Sequence, residues 1–207
     1  MSDITPELLL QAYANGVFPM ADSADSDEIY WVDPTDRGIF PINGFHISRS
    51  LRRALRRDDY SIHVDANFGQ TVMNCAKRDE TWINAEIFAL YNQLHGLGFA
   101  HSVEVWRADQ MIGGVYGVAL GSAFFGESMF SAATNGSKIA LAYLTHRLAA
   151  GGFQLFDTQF ITPHLASLGA IEIPRAAYHD MLFPAVTAEA NFTDPITPSP
   201  AILIAQT

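Results

Sequence analysis

The chain has 207 residues, 49% of them apolar, which suits one ordinary domain with a small appendage and a real core, and excludes wholesale disorder. A formal net charge of −10 argues against general nucleic-acid binding, because an acidic surface repels phosphates. No uninterrupted apolar run of about 18 residues suggests a membrane span, and the start "MSDITPELLL" lacks the basic-then-apolar pattern of a signal peptide. The single cysteine, Cys75, excludes an internal disulfide, so the expected setting is a reducing cytoplasm.

In chain order, "PELLLQAYANG" predicts a helix with Thr5 as N-cap, Pro6 at the first position and Gly16 just past the end. "VDPTDRGIFPINGF" reads as turn-rich. Next, "SRSLRRALRR" places Arg49, Arg52, Arg53, Arg56 and Arg57 at i, i+3, i+4, i+7 and i+8, on one helical face, with Leu51, Ala54 and Leu55 elsewhere and Ser48 or Ser50 as the cap. Such a stripe is either a solvated face or a phosphate-contacting one. Its sign, opposed to the whole chain, and its all-arginine make-up favour phosphate.

The texture changes near residue 61, which divides the chain into a small N-terminal part, 1–60, and a larger part, 61–207. Helices are expected at "TVMNCAKR" and "AEIFALYNQLHGLG", and strands at "HSVEVWR", "QMIGGVYGVALG" and "SAFFGESMFS". A helix over "NGSKIALAYLTHRLAAGG", a strand over "FQLFDTQF", a short helix over "TPHLASLGA" and a strand over "IEIPR" complete the order β-β-β-α-β-α-β. That is the layout of an α+β, acetyltransferase-like mixed sheet with flanking helices. The tail after about residue 184 reads as extended or loosely ordered, with "AILIA" docking on the body.

Glu127 interrupts the apolar "GVYGVALGSAFFGESMFS" run. A carboxylate buried there needs a partner or a task, and Lys138 is one internal candidate. Asp157 and Gln159 stand two apart on a strand, so alternation predicts a common face with Thr158 opposite. No histidine sits in a nucleophile motif, and His95 and His101 do not have a common metal-ligand spacing.

The segments "AYANGVFPM", "YWVDPTDRGIF", "HISRSL", "TWI", "LHGLGFAHSVEVW", "GGVYGVALGSAFFGESMFS", "SK-AL" in the next helix, "FDTQ" and "HLASLGAIEIPR", in unbroken order from roughly Leu8 to Tyr178, resemble the leucyl/phenylalanyl-tRNA–protein transferases. The resemblance implies a small N-terminal domain before an acetyltransferase-like domain. It also implies transfer of leucine or phenylalanine, or methionine, from charged tRNA to the N-terminal amine of proteins beginning with Arg or Lys, creating an N-degron. No cofactor or metal is implied; the partners are aminoacyl-tRNA and acceptor proteins with a basic N-terminal residue, and no membrane. It places Asp157, Gln159 and Glu127 at the reaction centre. Resemblance and strand polarity together suggest Trp31, Trp82, Tyr91, Met111, Tyr116, Phe125, Ser128, Met129 and Phe156 for the aminoacyl pocket, and the arginine stripe becomes the tRNA contact.

The sequence departs from the family pattern in its short start, in Met20 and Tyr30 where aromatic and Trp residues are usual, and in Thr158 where the family has cysteine. The rival is an acetyl-CoA-dependent N-acetyltransferase. It is disfavoured because "SAATNGSKIA" offers one glycine and no preceding basic residue to grip a pyrophosphate.

Overall fold

The structure is a computed structural model that describes residues 4–21, 23, 29–77 and 81–205. Helix α1 (Pro6–Ala14) begins as expected, with Thr5 Oγ1 accepting the Leu8 amide at 3.2 Å and Pro6 in the first turn. Gly16 follows it at φ +78°, the left-handed conformation that glycine adopts freely. Strands β1 (Phe18–Ala21) and β2 (Ile29–Val32) pair with each other as a two-stranded antiparallel sheet, with Pro19 opposite Trp31. After β3 (Asp36–Phe40) comes α2 (Arg49–Arg57), capped by Ser48, and then β4 (Ser61–Val64).

Helices α3 (Phe68–Ala76) and α4 (Ala85–Gly96) precede the expected series. That series is β5 (Ala100–Arg107), β6 (Gln110–Leu120), β7 (Ala123–Ser131), α5 (Gly136–Ala150), β8 (Leu155–Gln159), α6 (Pro163–Ser167) and β9 (Ile171–Pro174). Helices α7 (Arg175–Thr187) and α8 (Pro200–Ala205) close the described chain. The tail is better held than its prolines suggest. Arg147 donates to the Phe192 carbonyl at 2.7 Å, the buried Phe192 ring stacks on His101 and Phe124, and Leu203 and Ile204 of α8 are buried.

Among the described residues, seven strands form one mixed sheet in the order β4-β5-β6-β7-β8-β3-β9. The β7–β8 pair is parallel, joined by the α5 crossover, and the other pairs are antiparallel. Two cores flank the sheet. One packs α2, α5 and α8 through Leu51, Leu55, Leu144 and Leu203; the other packs α1, α3, α4 and α7 through Leu9, Val72, Leu90 and Leu182. The start of α5 lies hard against β6: a Cβ on Gly136 would collide with the Ile112 carbonyl oxygen, so only glycine fits.

β3 corrects the turn-rich expectation for its segment. "DRGIF" is a strand because β8 and β9 pair with it on either side, a context that local composition does not carry. The two-stranded sheet ends by residue 32, and β3 is already an interior strand of the main sheet. The change of texture near residue 61 therefore does not separate two sheets.

Candidate active site

The site opens where strand pairing stops. β7 and β8 are in register from Ala123–Leu155 to Phe125–Asp157, yet β7 runs on to Ser131 and β8 to Gln159. Between the diverging ends lies a cavity of about 810 Å³. Gly126 to Ser131 line one side, Thr158 and Gln159 another, and Phe18, Pro19, Met20, Trp82, Leu141 and His164 complete much of the wall.

Two bulges aim the polar groups. On β7, Ser128 faces Tyr116 but Gly126 faces Gly117, which leaves Glu127 as the extra residue. On β8, Gly38 faces Gln159 and Ile39 faces Asp157, which leaves Thr158 extra, and Gln159 takes φ +59°. This irregularity overturns the alternation argument. Thr158 and Gln159 both reach the cavity, whereas Asp157 is fully buried away from it.

Asp157 is half of a buried ion pair. Arg37 Nε donates to Oδ1 at 2.9 Å and Nη2 to Oδ2 at 2.6 Å, while the Tyr178 hydroxyl donates to Oδ2 at 2.7 Å. Arg37 also donates to the Gly16 carbonyl at 2.7 Å and lies over the Phe18 and Tyr178 rings. Asp157 reaches Gln159 through the backbone, accepting its amide at 2.8 Å and so holding the strained turn that presents the Gln159 side chain. Through Arg37 and Tyr178 it ties β3, α7 and the end of α1 to the floor of the site.

Glu127 meets no internal cation; among the described residues neither Lys138 nor any other base forms a salt bridge with it. Its Oε1 accepts from the Tyr13 hydroxyl and its Oε2 from the Tyr91 hydroxyl, both at 2.7 Å, and Gln159 Nε2 stands 3.4 Å from Oε1. The two hydroxyls are themselves 2.6 Å apart. Three short oxygen–oxygen contacts need three protons, and two tyrosines supply two. A protonated Glu127 closes the ring by donating from one carboxyl oxygen to one hydroxyl, so that each group donates once and accepts once; ionised, it accepts from both hydroxyls. Burial acts in the same direction and raises the carboxyl from 4.5 to about 7, against the lowering effect of the two hydroxyls and with a further push from Asp157. Burial and the Glu127 charge also hold both tyrosines well above their usual range, so they remain donors.

Of the expected pocket residues, Trp82, Met111, Ser128, Met129 and Phe156 line the cavity. Tyr91, Tyr116 and Phe125 do not; they are fully buried beneath it, in the core with α1, α3 and α4, and Tyr91 contributes only through its hydroxyl. Their aromatic bulk is needed there: Phe125 packs on Tyr13, and Tyr116 packs edge-on to Phe68 and Tyr91. Trp31 is 39% exposed on β2, beside the rim residue Pro19 rather than in the wall. Tyr13, Arg37 and the lining residue Phe160 escaped the sequence reading. Tyr13 sits four residues after buried Leu9 and looks like ordinary helix core, and Arg37 lies in the segment read as turns.

The arginine helix folds as read. Leu51, Ala54 and Leu55 are buried, Arg49, Arg53, Arg56 and Arg57 are exposed, and Arg52 is partly so. Among the described residues the stripe's one ion pair is a loose contact of Arg57 with Asp59 at 3.8 Å.

Fold and site together define a mixed-sheet α+β protein whose splayed strands hold an apolar cavity beside one carboxyl poised near neutrality. A family model described as "Leucyl/phenylalanyl-tRNA protein transferase" matches residues 39–183, and that of the corresponding N-terminal domain matches residues 2–35. A relative of that name from Cereibacter sphaeroides is 62% identical over 97% of this chain and 94% of its own, and one from a Ruegeria species is 61% identical over 97% and 96%. The chain belongs to the leucyl/phenylalanyl-tRNA–protein transferase family. Among solved structures, one titled "Crystal structure of FemX" superposes with a TM-score of 0.51 at 12% identity, covering 80% of this chain and 66% of that one, a likeness of fold alone.

Proposed function

We propose that the cavity holds the aminoacyl ester at the 3′ end of a charged tRNA beside the α-amino group of an acceptor protein, and that the chain transfers a leucyl or phenylalanyl residue by aminolysis. The amine nitrogen bonds to the ester carbonyl carbon, the bond from that carbon to the terminal ribose oxygen breaks, and the ribose oxygen takes a proton. The observation that carries this reading is Glu127: a single carboxyl, tuned to about 7, in an apolar wall.

In its ionised form Glu127 attracts the incoming ammonium and takes its proton, matching its affinity to the working pH. An α-amino group with a pKa near about 8 leaves an appreciable neutral fraction, so no stronger base is needed. The Gln159 amide, turned into the cavity by the β8 bulge, aligns the amine or the ester oxygen. Trp82, Met111, Met129 and Phe156 supply an apolar socket suited to a leucyl or phenylalanyl side chain. The exposed arginines of α2 suit the tRNA backbone, positioning it without reading sequence. A basic first residue on the acceptor, an N-degron as the product, a cytoplasmic setting and an acetyltransferase-like architecture of the sheet belong to the same reading. Acetyl transfer from coenzyme A is not favoured, given relatives of the transferase name at above 60% identity. Among the described residues, no helix is long and apolar enough to cross a membrane.

The test uses separately charged leucyl-, phenylalanyl- and methionyl-tRNAs with a panel of peptides differing in their first residue, read by mass spectrometry. Addition of a leucyl or phenylalanyl mass to peptides beginning with Arg or Lys is expected. No addition from any charged tRNA overturns the proposal.

A further inference from the structure

The chain's cations are unevenly placed. Ten of the twelve Lys and Arg residues are arginine; the two lysines are Lys77 and Lys138, and both flank the cavity. Lys77 lines it from the end of α3, on one face of the sheet. Lys138 follows the lining residue Ser137 in the first turn of α5, on the other face. Burial works against protonation of the lining residue His164, and Lys138 lies close enough for its charge to add to that effect.

Neither lysine is tied into an ion pair among the described residues. Lys77 donates to Asn74 Oδ1 at 3.0 Å and pairs with no carboxylate among the described residues. Lys138 makes no hydrogen bond or ion pair among them. It also occupies a first helical turn, where the backbone dipole disfavours a cation. Glu127 is the one carboxylate among the described lining residues. Among the described residues, two cations thus stand beside a cavity with one lining carboxylate, in a protein of net charge −10.

Resting on the function proposed above, we infer that Lys77 and Lys138 contact the phosphodiesters of the single-stranded 3′ end of the donor RNA, next to the ester, while the α2 arginines serve its more distant body. The anion must be one that arrives together with the ester, and the last phosphates of an aminoacylated RNA meet that condition. The two cationic surfaces then differ in which donor they sense.

The experiment compares a leucylated trinucleotide with full-length leucyl-tRNA, using a peptide acceptor with wild type, Lys138→Met, Lys77→Met and Arg52→Glu/Arg56→Glu. For each lysine variant the KM for the trinucleotide rises about tenfold, the size of one lost charge-assisted contact, and the acceptor KM does not move. The slope of log KM against log salt flattens by about 0.7 per lysine removed. The arginine variant loses on full-length tRNA and not on the trinucleotide. Thermal melting checks folding, and removing a cation from the first turn of α5 does not lower the melting temperature. Unchanged donor KM and salt slope in both lysine variants overturn the inference, as does a rise confined to the acceptor KM, which assigns the lysines to the protein substrate. Failure of wild type with both donors instead refutes the underlying function.

Discussion

Replacing Glu127 by Gln tests the central physical idea first through stability, with no substrate present. The neutral amide imitates the protonated carboxyl that completes the three-proton ring with Tyr13 and Tyr91. Displacement of the carboxyl from 4.5 to about 7 corresponds to about 3 kcal/mol between its two forms. Solvent reaching Glu127 through the cavity screens part of this, so about 2 kcal/mol is the expected size. Because the folded-state value is raised, the stability from holding the proton is fully present below about 4.5 and is lost as pH rises through about 7. Wild type and Glu127→Gln are unfolded in urea at intervals from pH 4.5 to pH 8.5. The variant gains on wild type as pH rises, by about 2 kcal/mol at pH 8 relative to pH 4.5. In the same window, wild-type transfer activity rises through about pH 7 while the variant loses that step. A stability difference independent of pH refutes the ring and the burial argument together.

Three further outcomes follow from the same structure. Arg37→Met strands Asp157 as a buried unpaired carboxylate and lowers urea stability by about 3–5 kcal/mol, whereas pairing it with Asp157→Leu restores much of the loss; a single-variant cost below about 1 kcal/mol contradicts the buried pair. Arg52→Glu with Arg56→Glu weakens binding of charged tRNA and flattens its salt dependence by about 0.9 per duplex phosphate lost, with the melting temperature held; equal slopes in a filter-binding titration leave α2 as mere surface. Gly126→Ala puts a methyl 2.8 Å from the Phe156 ring, so the urea midpoint falls, at a cost of about 1–3 kcal/mol, and the donor KM rises as the cavity narrows.

Local patterns carried much of the architecture. The cap at Thr5, the arginine face of α2, and the order from β5 to β9 follow from spacing, because helix and strand periodicities are properties of neighbouring residues, while the choice of Ser48 over Ser50 as the α2 cap came from the structure. Motifs in order identified the family before any coordinate was needed, and they singled out Glu127 as a carboxylate in the wrong place for a plain strand. Only the tertiary structure decided how these residues meet. Whether "DRGIF" is a turn or a strand depends on β8 and β9, which come more than a hundred residues later. The face on which Gln159 emerges depends on a bulge set by pairing with β3, and Asp157 turns inward because Arg37 and Tyr178 wait there. Tyr13 and Tyr91 become partners of Glu127 across separations of 114 and 36 residues. Proton sharing, burial and strand divergence act between residues distant in sequence, so a reading confined to neighbours names the carboxylate but not what tunes it.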